Sequence, residues 1–565
     1  MNRLPFFHKA KITDLNFRTA AIADSRRWLI GMAVVVVAIF LVLFLRLFQL
    51  TIVKHAYFQQ TAEDNHNRAL IIEAQRGRIT DRKGFVIAQN TPPDLHALEA
   101  RIPSSRTYYD GMIMGNLIGY RQIADAADME NNDCRIPLQL GDKIGKKGVE
   151  ALYDCRLRGR NGKKLVEVNA QGKLLHSITV EPAQPGSNIQ LAIDLELEKA
   201  AYEQIKDKRA AVVVLDPPTG AVLAMVSTPS FDPQDFENGA AEAVQSYLND
   251  PAQPLFNRAT AGTYPPGSIF KLMVAIAGLE EKKIDAATQF EDKGILQAGP
   301  LKFGNWYFLQ YGKTEGMVDL VKAIQRSNDI FFYQAGEAAG PDAIKKWALR
   351  FGLGKKTGIG LEEAEGLVPS PFWKQETLKD RWYLGDSYNL AIGQGYTLVT
   401  PLQIALATAA FANNGYLCQP QLLKNQPSRC EKLPVSGTNL SLIQEGMRRA
   451  CATGGTGWPL FDYKIKNLEF RSSQTRGLTG EKLASVEAAL DKNPQAWEAL
   501  PVACKTGTAE THGQDSNPHA WFTAYAPADN PQIVVTVLVE NAGQGSDVAA
   551  PIAKQILTTY FERSQ

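Results

Sequence analysis

The chain is poor in the residues that build metal centres. Seven histidines and six cysteines are scattered over 565 residues, and neither a CxxC nor an HExxH spacing occurs among them. That removes the common zinc sites and the zincins, and no sequence-coded metal or other cofactor is expected. An excess of charge is also lacking: 61 Lys and Arg stand against 59 Asp and Glu. No Lys/Arg run approaches the density of a phosphate-binding arm, so no nucleic-acid partner is expected. Internal repeats and low-complexity tracts are missing, and with 45% hydrophobic and 21% charged residues the chain belongs to neither the disordered nor the collagen-like class. Long apolar runs are absent too, with one exception.

That exception is Trp28 to Leu45, eighteen consecutive uncharged residues, with apolar character resuming after Arg46 as far as Leu50. At 1.5 Å per residue the run spans a hydrocarbon core of about 30 Å. A signal peptide would have a shorter apolar region and a small-x-small exit, which Arg46-Leu-Phe-Gln-Leu-Thr does not offer. Residues 28–50 are therefore expected to be an uncleaved anchor. Residues 1–27 hold six basic side chains, Arg3, Lys9, Lys11, Arg18, Arg26 and Arg27, against Asp14 and Asp24. The positive-inside rule then leaves this tail in the cytoplasm and everything after the anchor outside. In that compartment disulfides are permitted, but six cysteines allow fifteen pairings and the sequence selects none.

Beyond the anchor, residues 51–185 mix short apolar alternations such as Ala69-Leu-Ile-Ile with Gly, Asp and Asn turns. They read as a β-rich pedestal of small strands and hairpins. A Pro/Gly break at Glu181-Pro-Ala-Gln-Pro-Gly places a domain boundary near residue 185. The 186–565 domain then opens with a helix over Leu195–Ile205 and an apolar hairpin, Ala210 to Leu215 and Ala221 to Val226 around Asp216-Pro-Pro-Thr-Gly. Strand-like runs recur at His519–Ala526 and Gln532–Val539, before a helix over about 549–561. Residues 268–450 are mostly helical in pattern, and residues 457–501 look like a surface insertion with a polar helix, Gly480–Leu490. A sheet drawn from both ends of a domain around a helical middle predicts an α+β fold in two layers.

Three short motifs carry chemistry. The first is Tyr264-Pro-Pro-Gly-Ser268-Ile-Phe-Lys271, a loop running into a helix. Residues i and i+3 share a helix face, so Lys271 is expected to reach the Ser268 hydroxyl. Serine is inert at its own pKa and needs an adjacent base, which a desolvated lysine supplies. A Ser-x-x-Lys arises about once by chance in a chain of this length, but the helix start behind Pro-Pro-Gly favours developing negative charge. The second is Ser327-Asn328-Asp329 ahead of an apolar run. Its hydroxyl could relay a proton, and Asp329 could hold the lysine and a substrate amide, although the same letters also suit a helix cap. The third is Cys504-Lys505-Thr506-Gly507-Thr508 before the strand containing Trp521. Thr506 and Thr508 share one face of an extended segment, Gly507 admits a substrate backbone, and Lys505 adds positive charge. A second Lys-Thr-Gly, Lys356-Thr357-Gly358, lies only 29 positions after Ser327 in a Gly-rich loop without strand pattern, and is rejected.

In chain order these motifs are the signature of the penicillin-binding proteins and class A β-lactamases. More agrees than the triplet: Arg76-Gly-Arg-Ile-Thr-Asp-Arg-Lys-Gly84, Gly148-Val-Glu-Ala-Leu-Tyr153, Leu215 to Met225, Ala391-Ile-Gly-Gln-Gly-Tyr and Val399-Thr-Pro-Leu-Gln403. With these the chain resembles the class B penicillin-binding proteins over almost all of residues 50–565. The Gly360 to Lys374 stretch looks most like the elongation branch, the penicillin-binding protein 2 type.

The resemblance implies a penicillin-binding transpeptidase domain on a dimerisation-type pedestal, acting as a D,D-transpeptidase of peptidoglycan stem peptides at the outer side of the inner membrane and a target of β-lactams. Carried onto matching positions, Ser268 is the nucleophile and Lys271 its base. Ser327 passes the proton to departing D-alanine, steadied by Lys505. Thr506 and Thr508 hold the terminal carboxylate, and the Ser268 and Thr508 N–H groups form the oxyanion hole. Asp329 stands where most of the superfamily has Asn, and an anion beside Lys271 favours its charged form. Some elongation-type members hold zinc between the first two motifs; residues 272–326 contain no Cys or His, so none is expected here. Implied partners are a membrane-embedded glycosyltransferase of the SEDS family and the cell-shape complex. A β-lactamase reading would need a deacylating Glu-x-x-x-Asn element, which does not follow Ser327 convincingly. A sensor would need a cytoplasmic output module.

Overall fold

The computed structural model describes residues 20–92, 101, 102, 104–169, 174–511 and 517–563. The chain forms two compact units. The first holds residues 1–72, 95–102 and 162–182. Its long helix, Ala20–Phe48, continues through a π-helical turn, Gln49–Val53, and is followed by the helix His55–His66. The stretch Arg26–Val53 is long and apolar enough to cross a membrane, and none of its most apolar window is buried in protein. The rest of this unit is a four-stranded sheet in the order Arg101–Ile102, Asn67–Ile72, Gly162–Val168, Leu174–Glu181.

The second unit carries the chemistry. Its main sheet has five antiparallel strands: β1 Ala210–Asp216, β2 Ala221–Thr228, β3 Ala503–Ala509, β4 His519–Ala526 and β5 Ile533–Val539, in the order β2-β1-β5-β4-β3. The helices around it are α1 Leu195–Ile205, α2 Lys271–Glu280, α3 Leu320–Arg326, α4 Asp329–Ala339, α5 Pro401–Ala412, α6 Gly437–Ala450 and α7 Ala549–Glu562. Alternate residues of β1 enter different cores. Val212 and Val214 pack with Leu197, Ile556 and Leu557 of α1 and α7, whereas Val213 and Leu215 pack with the helical middle, including Phe270, Ile404 and Phe411. Helices thus cover both faces of the sheet, giving three layers where two were expected. Double coverage explains why β5, IVVTVLV, is buried at every position and reads as an unbroken apolar run.

A second sheet, in the order Ile189–Gln190, Ile79–Thr80, Val86–Asn90, Arg106–Tyr108, joins the stretch after the pedestal to the pedestal sequence within this same unit. The strands expected in residues 51–185 are accompanied by the helices His55–His66 and Gly111–Ile118. Behind the second sheet lies a buried ionic cluster. Glu150 accepts from Arg76 Nε and Arg106 Nε, both at 2.5 Å, and Arg76 also reaches Asp154 at 2.7 Å. Burial alone would raise the Glu150 carboxyl, but Arg106 and Arg76 overcome it and hold it down at about 2. The Arg76 and Gly148–Tyr153 motifs are therefore two halves of one packing device.

The six cysteines pair as Cys134–Cys155, Cys418–Cys430 and Cys451–Cys504. The 457–501 segment is closed at its base by an antiparallel pair, Lys464–Lys466 with Trp497–Ala499. Between them run the helices Leu468–Thr475 and Gly480–Leu490, linked where Arg471 meets Glu487 and Asp491.

Candidate active site

The Pro-Pro-Gly lead makes a 3₁₀ turn, Gly267–Phe270, whose last residue abuts α2, so Ser268 sits on the turn and Lys271 opens the helix. Gly267 has φ +54°, and a Cβ there would lie 2.6 Å from the Thr508 carbonyl oxygen. Only glycine lets this turn lie against β3. From the other side Gly267 N–H donates to Gly393 O at 3.0 Å, and a Cβ on Gly393 would strike Gly267 O at 2.3 Å. The Ala391-Ile-Gly-Gln-Gly motif is thus a backing for the nucleophile turn. Gly507 repeats the logic within β3, since a Cβ there would lie 2.9 Å from the Trp521 Cβ and 3.0 Å from Pro266 O. Trp521 Nε1 donates to Pro265 O at 3.0 Å, fixing the loop to β4.

Lys271 is wholly buried. Its ammonium donates to Ser327 O at 2.8 Å, Ser327 Oγ at 3.3 Å and Asp329 Oδ1 at 2.6 Å. The sequence led us to expect a Lys271 contact with Ser268 Oγ; the geometry turns the three donors toward the second motif instead. Burial lowers the proton affinity of Lys271, and Asp329 opposes this without reversing it, so the group lies below the ordinary lysine value. Asp329 therefore does not cancel the desolvation that makes Lys271 a plausible base.

Ser327 sits in the left-handed region, φ +53°, between α3 and α4. Lys505, also wholly buried, donates to Ser327 Oγ at 2.8 Å and to Thr506 O at 3.0 Å. One hydroxyl is thereby held between two ammonium groups. Burial, and then the charge of Lys271, push Lys505 well below its ordinary value. Lys271, Ser327, Asp329 and Lys505 form one hydrogen-bonded group, while Ser268, Gly507 and Thr508 meet it through the backbone packing of the turn on β3. Thr506 Oγ1 lies 2.8 Å from Thr456 Oγ1, and Thr508 is exposed on the same strand.

The cap reading of the second motif is seen in the structure. Asn328 is the N-cap of α4, accepting from Phe331 N at 2.9 Å. The alternative Lys-Thr-Gly is used internally: Glu363 accepts from Thr357 N and Oγ1, both at 2.7 Å, and from Gly358 N at 3.0 Å. Missed from the sequence were Tyr264, whose hydroxyl donates to Glu540 Oε1 at 2.8 Å, and Arg258, whose Nε reaches the same oxygen at 2.9 Å. No short spacing links them, because residue 540 arrives from the far end of the chain. Asp292 and Asn305, which brace the second motif, were missed for the same reason.

Two family models match the chain: the penicillin binding protein transpeptidase domain over residues 210–558, and the penicillin-binding protein dimerisation domain over residues 93–191. Among curated relatives, the peptidoglycan D,D-transpeptidase MrdA of Haemophilus influenzae is 35% identical over 83% of this chain and 71% of its own length. The Salmonella typhimurium protein of the same name is 30% identical over 95% of this chain and 96% of its own. Among solved structures, Pseudomonas aeruginosa PBP2 in complex with WCK 5153 is similar at a TM-score of 0.69 and 32% identity, covering 87% of this chain and 96% of that one. A chain from a peptidoglycan synthase complex that coordinates polymerization and crosslinking is similar at 0.70 and 30% identity, covering 94% and 98%. With the three motifs gathered in one site and these relatives spanning nearly the whole sequence, the chain belongs to the penicillin-binding protein family, as a peptidoglycan D,D-transpeptidase of the elongation-type penicillin-binding protein 2 branch.

Proposed function

We propose that Ser268 is the acylated nucleophile of this transpeptidase, and that the observation supporting it best is the Ser327 hydroxyl lying between Lys271 and Lys505 beside the Ser268 turn. Ser268 Oγ attacks the carbonyl between the two terminal D-alanines of a stem peptide, and its proton passes to Lys271. The oxyanion is held by the N–H groups of Ser268 and Thr508, whose segments are packed together by Gly267. As the C–N bond breaks, the proton moves through Ser327 to the departing D-alanine amine. A neighbouring stem amine then attacks the Ser268 ester, its proton returns along the same path to Ser268 Oγ as the C–O bond breaks, and the peptides are left cross-linked by the new amide. Thr506 and Thr508 bind the terminal carboxylate, with Lys505 supplying the positive charge behind them. Asp329 orients Lys271.

Residues 28–50 anchor the chain in the inner membrane with the tail, residues 1–27, in the cytoplasm. Residues 51–185 serve as a pedestal and residues 186–565 as the catalytic domain outside. Peptidoglycan stem peptides and β-lactams are the ligands of the site, and a SEDS-family glycosyltransferase with the cell-shape complex are the protein partners. One test reaches the nucleophile directly. Intact-mass spectrometry of penicillin-treated protein is expected to show a long-lived adduct that disappears in a folded Ser268→Ala variant. An adduct persisting in that variant rejects Ser268, and rapid turnover of penicillin favours a lactamase instead.

A further inference from the structure

Some buried carboxylates of the second unit are matched with arginine, Glu150 with Arg76 and Arg106 and Glu237 with Arg121. Asp292, like Asp81, is held by neutral donors instead. It is only 2% exposed, and among the described residues its partners are all neutral. Its Oδ1 accepts from Gly294 N at 2.8 Å. Its Oδ2 accepts from Asn305 Nδ2 at 2.7 Å, Asn328 Nδ2 at 2.8 Å and Glu315 N at 3.1 Å. A carboxylate brought out of water without a cation has to be compensated by hydrogen bonds, and four donors from four chain positions do so here.

The donors matter for where they lead. Asn328 stands between Ser327 and Asp329 in the chain, and its other amide atom caps α4. Asn305 Oδ1 accepts from Asp329 N–H at 3.2 Å, and the next residue, Trp306, donates its N–H to Asp329 Oδ2 at 2.9 Å. Asp292 thus holds Asn328, the chain neighbour of Asp329, and Asn305, which accepts from the Asp329 N–H and precedes Trp306, while Asp329 Oδ1 faces Lys271. Ser327, in its left-handed conformation, needs surroundings that over-determine it. We propose that Asp292 is a positioning residue of the acylation site, fixing Ser327 and Asp329 against Lys271 through Asn328 and Asn305. It touches neither substrate nor the reacting atoms. This rests on Ser268 and Lys271 being the nucleophile and base.

The test is the second-order rate of labelling of full-length protein by a fluorescent penicillin, followed against pH. Asp292→Asn keeps the shape but sets an NH₂ group against donors that need an acceptor. It is expected to slow labelling on the order of 10–100-fold, the scale of a small misplacement of catalytic groups. The acid limb of the rate is also expected to move to lower pH, because a loosened Asp329 no longer raises the proton affinity of Lys271. Ile556→Ala, which opens a hole in the other core where α7 packs on the sheet, controls for lost stability and is expected to keep both rate and limb. If Asp292→Asn does not fold, Asn305→Ser, which removes the Asn305 arm from Asp292 to Asp329 N–H and leaves the Asn328 arm in place, is expected to shift the limb in the same direction with a smaller loss of rate. A folded variant whose rate and limb match the parent, or whose loss equals that of Ile556→Ala, overturns this inference alone. Labelling that survives Ser268→Ala overturns the nucleophile assignment and this inference together.

Discussion

Two wholly buried ammonium groups share one hydroxyl, and we expect their protonation to set the working pH of the site. Burial pulls Lys271 below its ordinary value while Asp329 pulls the other way. In Asp329→Asn the opposing charge is gone, so Lys271 loses its proton at lower pH and the acid limb of acylation moves down. A limb that stays in place or moves up in stopped-flow labelling rejects Lys271 as the titrating base. For stability the sign is the same for both lysines. Their folded proton affinities lie below the unfolded one, the unfolded chain binds more protons between the two, and their contribution to stability rises with pH through that window. Glu150 gives the same sign in a more acid window. Its folded value of about 2 lies below the unfolded 4.5, so its contribution is complete above 4.5 and is lost as pH falls toward 2. Removing the charge in Glu150→Gln strands Arg76 and Arg106 in the interior and is expected to cost about 3–5 kcal/mol. Denaturant titration at neutral pH measures it, and a change below about 1 kcal/mol would show that the cluster relaxes into water.

The edge strand β3 is held by elements that do not neighbour it in sequence. The Cys451–Cys504 disulfide fastens it to the residue after α6, across a separation of 53 positions and one residue before Lys505. Replacing both cysteines by serine is expected to lower stability by about 2–4 kcal/mol and to slow acylation, because Lys505 then sits on a freer strand. Differential scanning calorimetry and labelling rates read the two effects separately. Gly507→Ala forces β3 from Trp521 and Pro266, and is expected to reduce acylation by more than tenfold while the remaining sheet still melts cooperatively. Labelling at the parental rate would mean that the turn and strand separate without consequence. At this scale much was legible beforehand. The helix Leu195–Ile205, the β1–β2 hairpin and β4 announce themselves through period, caps and turn chemistry, which are local. The third layer was not legible, because an apolar run fits a strand covered on one face or on two. The three motifs gave Ser268, Lys271, Ser327 and Lys505, yet not the direction of the Lys271 ammonium, which depends on a neighbour 58 positions away. Nor could spacing choose among fifteen cysteine pairings: Cys418 and Cys430 face each other across a local antiparallel pair, but Cys451 meets Cys504 only through the tertiary fold.

At the scale of the whole molecule, we expect a division of labour with a polymerising partner, and the way the acidic groups are engaged supports it. Glycosyl transfer needs a carboxylate free to take a proton from the attacking sugar hydroxyl. In the pedestal-derived part of the second unit the buried acids are already bound, Glu150 by Arg76 and Arg106, Glu73 by Ser104 N–H, Asp81 by Lys83 and Phe85 N–H, and Asp142 by Asn161 and Gln139 N–H, and the half-buried Asp154 is held by Arg76. Their work is packing, and freeing one would leave an arginine or a backbone donor unsatisfied. The anchor helix carries its own polar pair, with Arg46 donating to Gln49 at 2.7 Å inside the same segment. That pair is satisfied without a second span, so a docking span would have to exchange it for a better partner. We expect purified full-length protein, given lipid-linked disaccharide precursor, to make no glycan strands by itself, and to cross-link strands once a SEDS-family glycosyltransferase is added in the same bilayer. Gel separation of labelled glycan before and after muramidase digestion distinguishes the two steps. Strands formed by this protein alone would overturn the monofunctional reading, whereas strands that form with the partner but stay uncross-linked unless Ser268 is intact locate the second step at this site.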